Sequence, residues 1–199
     1  MQCPESLPMD PKEIEIKIGL SDSPISGLQE RAAGEAAELL EEHGFERDRH
    51  MMQRDLYLSH PCRDLGETDE ALRIRTVKDM DSGRTDTFIT YKGPKLSSRS
   101  KSRDEIEIRI PGIEGMRELL YRLGFSKVII VDKERRTYIK DEVEASIDMV
   151  SDLGCFLELE MKSGEVKGPE ERLLDIAREL GFEKTERRSY MELLMEKLN

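Results

Sequence analysis

Hydrophobic and polar residues alternate strictly in two nearly identical stretches of the chain. "EIEIKI" at residues 13–18 and "EIEIRI" at residues 105–110 place isoleucine at every second position, with charged residues between. Because successive side chains of a β-strand point to opposite faces, this alternation predicts two strands that each have one apolar and one charged face. "FLELEMK" at residues 156–162 predicts a third strand of the same kind.

A stretch with apolar residues at helical spacing follows each of these strands. The three stretches span residues 26–45, 112–125 and 168–182, and each ends in Gly-Phe. Glycine is common just beyond the last turn of a helix, so the pattern predicts three amphipathic helices that cover apolar sheet faces. Since nearly the same strand precedes the first two helices, we predict an internal duplication with two related halves.

Further strands are predicted by stretches that alternate or are rich in β-branched residues, and short turns rich in Asp and Gly favour their antiparallel pairing. These strands lie at residues 51–58, 70–77, 85–92, 127–140 and 143–150. The pattern of residues 187–195 fits either a strand or a short helix. We predict an α+β fold, with an eight-stranded antiparallel closed β-barrel and helices packed outside, since closure removes the exposed strand edges.

The length of 199 residues suits one sizeable domain. Residues 1–11 contain three prolines and predict a disordered leader, so we place a single domain at residues 12–199. The basic, serine-rich stretch at residues 92–103 predicts a mobile loop.

Composition narrows the class of protein and its partners. The net charge of −11 argues against a general nucleic-acid binder, which needs a basic surface. The three cysteines lie far apart, without the paired spacing of a zinc site, and fit a reducing compartment. No apolar run approaches the roughly 20 residues of a membrane span. We therefore predict a cytoplasmic protein with no nucleic-acid or membrane partner.

Charged residues occupy i, i+2 positions on most of the predicted strands and so share one face of each strand. The common explanation is a solvated outer face. If the barrel closes, however, that face points inward, and the interior holds both basic and acidic side chains. Converging arginines and lysines suit a chain of phosphates, and clustered carboxylates suit a hard divalent cation, Mg²⁺ or Mn²⁺.

Seven charged motifs occur in order between residue 12 and about residue 195. They are E-x-E-x-K (Glu13, Glu15, Lys17), R-x-R (Arg73, Arg75), Y-K-G-P (Lys92), R-x-E-x-E (Arg103, Glu105, Glu107), K-x-R (Lys133, Arg135), I-D (Asp148) and E-x-E (Glu158, Glu160). In these motifs the chain resembles the CYTH superfamily, also called triphosphate tunnel metalloenzymes. That superfamily includes class IV adenylyl cyclases and thiamine triphosphatases.

The resemblance implies an eight-stranded tunnel and assigns roles to the motif residues. The implied triphosphate-binding residues are Lys17, Arg73, Arg75, Lys92, Arg103, Lys133 and Arg135. The implied ligands of Mg²⁺ or Mn²⁺ are Glu13, Glu15, Glu107, Asp148, Glu158 and Glu160. Glu13, Glu15 and Lys17 are the implied catalytic residues. Glu105 is either a further ligand or a residue that orients a neighbouring arginine.

The resemblance leaves the reaction open among three readings. The first is a class IV adenylyl cyclase-like enzyme that converts ATP to cyclic AMP and pyrophosphate. The second is a triphosphatase acting on tripolyphosphate, a nucleoside triphosphate or thiamine triphosphate. The third belongs to another class, a non-catalytic sensor that binds polyphosphate or a nucleotide. A homodimer is compatible with all three.

Overall fold

The computed structural model of the chain describes residues 12–94, 103–163 and 167–198, without the side chains of Lys12, Glu13, Lys162, Ser163 and Lys167. The predicted leader lies outside these residues, as does most of the predicted loop at 92–103.

Eight strands and four helices make up the described residues. The strands are β1 (Lys12–Ser21), β2 (Glu46–Ser59), β3 (Ala71–Asp79), β4 (Thr85–Lys92), β5 (Glu105–Ile110), β6 (Ser126–Lys140), β7 (Val143–Val150) and β8 (Gly154–Ser163). The helices are α1 (Ser26–Glu42), α2 (Ile113–Arg122), α3 (Lys167–Glu179) and α4 (Tyr190–Leu198). The predicted strands are therefore present, and residues 187–195 contribute mainly to a helix.

All eight strands pair antiparallel in one sheet with the order β1-β8-β7-β6-β2-β3-β4-β5. If each strand of the first half, β1 to β4, is exchanged with its counterpart in the second half, β5 to β8, the same strand order results, read from the opposite end. The two strands with the repeated sequence, β1 and β5, thus lie at opposite ends of the sheet, and β2 pairs with β6 at its centre. This is the symmetry that a duplicated unit would produce.

The sheet is not closed by hydrogen bonds, so the predicted closed barrel is not confirmed. Its ladder ends at β1 and β5, and no pairing between these two strands is present in the described part of the chain. Part of the β1 edge is occupied by another segment, because the backbone N–H of Glu186 donates to the carbonyl oxygen of Lys17 at 2.6 Å. The connection between α3 and α4 therefore crosses the place where closure would begin.

Two apolar clusters lie on the outer face of the sheet. α1 and α3 cover the isoleucine row of β1, where Ile14, Ile16 and Ile18 are at most 2% exposed. α2 packs through Leu120 on apolar residues of β2, β3 and β5, including Ile74. Burial of each such side chain stabilises the fold by about 1.5–3 kcal/mol. Because the isoleucines are buried on the outer face, the charged residues between them point to the inner face.

The fourth helix lies on the opposite, inner face of the sheet. Tyr190 and Leu194 of α4 pack with Val131, Val150 and Phe156. These strand residues alternate in phase with the charged rows of β6, β7 and β8 and therefore share their face. The prediction that helices pack outside thus holds for α1, α2 and α3 but not for α4. No helix among the described residues combines the length and the apolar content that a membrane crossing requires.

Candidate active site

The inner face of the sheet surrounds one cavity of about 820 Å³. Its lining includes residues from each of the eight strands and from α4. Curvature of the sheet therefore brings the side chains of β1 and β5 to the same space, although these strands do not pair. The volume is within the range of sites that bind nucleotide-sized molecules.

The structure brings most of the predicted site residues into this cavity. Those that line it are Glu15, Arg73, Arg75, Lys92, Arg103, Glu107, Lys133, Arg135, Glu158 and Glu160. Lys17 and Asp148 are completely buried behind the lining. The side chain of Glu13 lies outside the described part, but the backbone register places Glu13 two residues from Glu15 on the same face.

Two arginines of β3 share one aspartate of β2. Arg75 donates from Nε and Nη2 to the two carboxylate oxygens of Asp55, each at 2.6 Å. Arg73 places Nη1 3.6 Å from the same carboxylate. Burial alone would raise the pKa of Asp55, but the charges of Arg75 and Arg73 hold it well below its ordinary value. Asp55 is therefore ionised and fixes both guanidinium groups at the cavity wall.

Arg73 retains a hydrogen-bonding group that no described residue satisfies. Its Nε is buried and has no acceptor within the described ranges, whereas nearly all buried donors in proteins are paired. A phosphate oxygen in the cavity would provide such an acceptor.

A second buried aspartate organises the basic residues of β6. Asp148 accepts from Lys133 Nζ at 2.8 Å, from Arg135 Nε at 2.6 Å and from the Tyr190 hydroxyl at 2.9 Å. Arg135 also pairs with Glu158. Burial and the charge of Arg135 lower the pKa of Lys133 to about 8, although Asp148 opposes this shift. Negative charge in addition to that of Asp148, such as a bound phosphate, would favour the charged form of Lys133.

Lys92 and Arg103 extend the basic lining toward β5. Lys92 forms an ion pair with Glu105, and the charges of Arg73 and Arg103 also act on this carboxylate. Arg103 donates to the carbonyl oxygen of Asp69 at 3.4 Å. Glu107 accepts from Thr90 Oγ1 at 2.9 Å and lies 3.9 Å from Arg73.

The opposite wall of the cavity is acidic. Glu15 of β1 lies directly across from Glu160 of β8, and Glu160 lies directly across from Glu144 of β7. We call these three residues the acidic row. Like charges in directly opposed positions destabilise a sheet, and Arg49 offsets part of this repulsion by pairing with Glu144 at 3.3 Å. All the donors are carboxylate oxygens, which suit Mg²⁺ or Mn²⁺. As positioned, no three acidic, His or Cys side chains of the described residues enclose a metal site.

A match to one family profile over most of the chain identifies the family of this protein. The CYTH domain profile matches residues 11–190. The chain is a CYTH-domain protein. A Methanocaldococcus jannaschii protein named "Putative adenylate cyclase MJ0240" is 39% identical to it over 186 residues, which cover 91% of this chain and 97% of that protein.

Solved structures show the same fold. The PH1819 protein of Pyrococcus horikoshii is 42% identical, with a TM-score of 0.81, over 93% of this CYTH-domain protein and 99% of that chain. The Hippeastrum protein HpAC1 is 19% identical, with a TM-score of 0.61, over 94% and 95% of the two chains. That protein is named a "Putative adenylyl cyclase" with a dominant triphosphatase activity, and at this identity the likeness concerns the fold alone.

Three residues of the CYTH-domain site have no role among the site residues predicted from the sequence. Asp55 lies in phase with the charged row of β2, so strand alternation could have placed it on the inner face. The same alternation puts Glu144 on the face of Asp148 in β7. Tyr190 belongs to a helix whose packing face the sequence does not reveal. Its position beside Asp148 depends on the path of the connection after α3.

Proposed function

We propose that this CYTH-domain protein is a divalent-metal-dependent enzyme that acts on a triphosphate, with ATP converted to cyclic AMP and pyrophosphate as its reaction. The observation that carries the proposal is the division of one cavity into a basic wall and an acidic wall. The 39% identical relative named "Putative adenylate cyclase MJ0240" favours the cyclase among the possible reactions.

The basic wall would bind the triphosphate. Arg73 and Arg75 are fixed by Asp55, and Lys133 and Arg135 are fixed by Asp148. Guanidinium groups match phosphate oxygens in pairs, and donors held in place before reaction stabilise the charge that develops during phosphoryl transfer. Lys92 and Arg103 would contact the far end of the phosphate chain, and Lys17 would add positive charge from behind the lining.

The acidic wall would hold the metal. Glu13, Glu15, Glu158 and Glu160 are the proposed ligands, with Glu144 completing the acidic row. A bound Mg²⁺ or Mn²⁺ would neutralise charge on the phosphate oxygens. We assign Asp148 a positioning role instead of the ligand role implied by the resemblance, because its oxygens already accept from three side chains. Glu107 lies among the basic residues and is proposed to orient Arg73.

In the proposed reaction the ribose 3′-oxygen forms a bond to the α-phosphorus. The bond from that phosphorus to the oxygen bridging the β-phosphate breaks, pyrophosphate leaves, and the hydroxyl proton passes to water. The same basic wall would serve a triphosphatase, in which water attacks the terminal phosphorus. The two reactions differ in which phosphorus faces the attacking oxygen.

Product analysis tests the proposal. The purified protein is incubated with Mg²⁺ or Mn²⁺ and with ATP, inorganic tripolyphosphate or thiamine triphosphate in separate reactions. Products are resolved by chromatography and phosphorus NMR. Cyclic AMP with pyrophosphate is the expected result. Orthophosphate without a cyclic product would replace the cyclase by a triphosphatase, and binding without turnover would leave a sensor.

A matched pair of variants ties the activity to the cavity. Glu15→Gln removes one charge of the acidic row and is expected to abolish metal-dependent turnover. Glu38→Gln makes the same change at an exposed position of α1, outside the cavity, and is expected to leave turnover unchanged.

A further inference from the structure

Tyr190 is the point at which α4 reaches the basic wall of the cavity. It is 6% exposed and packs edge-to-face on Phe156, with ring centroids 5.1 Å apart. The Nζ atom of Lys17 lies 3.9 Å from the centroid of the Tyr190 ring, and Nζ of Lys133 lies 5.0 Å from it. One aromatic ring is therefore in contact distance of two ammonium groups from different strands.

The hydroxyl of Tyr190 acts on the same group of residues by a separate route. It donates to Asp148, the carboxylate that also accepts from Lys133 and Arg135. Burial and the charge of Asp148 raise the pKa of Tyr190 well above its ordinary value, so the hydroxyl stays protonated and keeps donating. Asp148 is thus oriented from the helix side as well as from β6.

The ring and the hydroxyl together define the environment of the two lysines. The face of an aromatic ring attracts a cation, and this attraction is larger when the cation is shielded from water, as for the buried Lys17 and Lys133. Because Lys17 is on β1 and Lys133 on β6, neither strand alone sets the distance between their charges.

We infer that Tyr190 is a positioning residue that holds Lys17 and Lys133 for binding of the triphosphate chain, so that α4 completes the phosphate-binding wall. This inference rests on the proposed function. It assigns α4 a part in substrate affinity that the charged strand motifs do not supply.

Three variants separate positioning from simple packing. Tyr190→Phe keeps the ring and removes the hydroxyl, whereas Tyr190→Leu removes both. Leu194→Ala is the control, because Leu194 lies on the same helix and in the same apolar cluster but has no described contact with either lysine. Circular dichroism identifies a temperature at which all variants are folded.

Two measurements are made at that temperature. Isothermal calorimetry gives the Kd for tripolyphosphate. Proton–carbon NMR of protein labelled at the lysine ε-carbons reports the ring current on Lys17, whose resonance is identified with Lys17→Met. We expect an upfield-shifted Lys17 resonance that Tyr190→Phe keeps and Tyr190→Leu reduces to the smaller effect of Phe156, whose ring centroid lies 5.6 Å from Lys17 Nζ. We expect Tyr190→Leu to weaken binding by about tenfold and Tyr190→Phe by less.

The outcomes distinguish this inference from the proposed function. A Lys17 resonance without an upfield shift in the wild type, or a Tyr190→Leu Kd within twofold of the wild type, would overturn the inference and leave the proposed function standing. Equal weakening by Leu194→Ala and Tyr190→Leu would reduce the role of Tyr190 to packing. A wild-type protein that binds no triphosphate would overturn the proposed function, whatever the NMR result.

Discussion

Arg75 and Asp55 form a two-point ion pair in the wall of the cavity, with each of two guanidinium nitrogens 2.6 Å from its own carboxylate oxygen. Asp55 is 1% exposed, so the pair is almost completely removed from water. Breaking a buried pair by removing one partner leaves the other charge uncompensated, which is more costly than losing a pair at the surface. Asp55 therefore contributes both to the arginine positions and to the stability of the fold.

Asp55→Asn is expected to lower the free energy of unfolding at neutral pH by about 3–5 kcal/mol. The measurement is urea denaturation followed by circular dichroism. Asp132→Asn is the matched control, because Asp132 pairs with Arg54 at 3.2 Å on the surface, where such a pair contributes about 0–1 kcal/mol. Equal losses in the two variants would contradict the buried role of Asp55.

The same pair predicts a dependence on acid. The pKa of Asp55 in the folded protein lies below its ordinary value of 3.8. Its stabilising contribution is therefore fully present above that pH and is lost as the pH falls below it. The Asp55→Asn variant lacks this titrating group. Its free energy of unfolding should therefore decrease less steeply than that of the wild type as the pH is lowered below 3.8.

Arg73→Lys is expected to weaken tripolyphosphate binding by about tenfold, although the positive charge is kept. Lysine cannot reproduce the forked geometry of a guanidinium group at a phosphate. Arg84→Lys is the control at the cavity mouth, where Arg84 is exposed and pairs with Asp86 at 3.0 Å. Calorimetry measures both affinities, and a Kd for Arg73→Lys no weaker than that for Arg84→Lys would remove Arg73 from the binding wall.

The sequence predicts the inner face well where one strand is enough to define it. Glu15 and Arg75 follow from period-two alternation, because one buried isoleucine row determines where the intervening residues point. What alternation does not predict is contact between distant elements. Asp55 meets Arg75 only through the pairing of β2 with β3, and Tyr190 meets Lys17 only because α4 enters the concave face.

Closure of the barrel was also beyond the reach of the sequence. The number of strands does not show whether the two edge strands of the sheet pair with each other or are covered by another segment. In this protein the edge of β1 is partly engaged by the backbone of Glu186, which belongs to a segment without strand character. A hydrogen bond from an irregular segment leaves no hydrophobic periodicity to detect.

Glu160→Gln is expected to remove the response of the protein to divalent metal. The strand register places Glu160 between Glu15 and Glu144 in the acidic row, so its substitution removes the central proposed ligand. Addition of Mg²⁺ should raise the melting temperature of the wild type but not of the variant.

Glu38→Gln serves again as the control for Glu160→Gln, since it removes one exposed charge from α1 and should respond to Mg²⁺ like the wild type. A Glu160→Gln variant that is stabilised by Mg²⁺ as much as the wild type would contradict a metal site at the acidic row. Thermal denaturation with and without Mg²⁺ measures the response of both variants.

The lowered pKa of Lys133 predicts that triphosphate binding weakens at alkaline pH. Burial and the charge of Arg135 lower its pKa to about 8, whereas its ordinary value is 10.5. The free protein therefore loses the Lys133 charge as the pH rises through about 8, and affinity for tripolyphosphate should fall over the same range. Because bound phosphate favours the charged form, binding at pH 8.5 should take up a fraction of a proton at Lys133.

Calorimetry at that pH, in two buffers of different ionisation enthalpy, measures this proton uptake. Lys133→Met lacks the titrating group but leaves the protonation of tripolyphosphate itself unchanged, so the difference between the two proteins belongs to Lys133. The lowered pKa also means that charged Lys133 opposes folding, and the stability of the wild type relative to Lys133→Met should therefore rise between about pH 8 and pH 10.5. Equal proton uptake by the two proteins would show that Lys133 does not contact the phosphates.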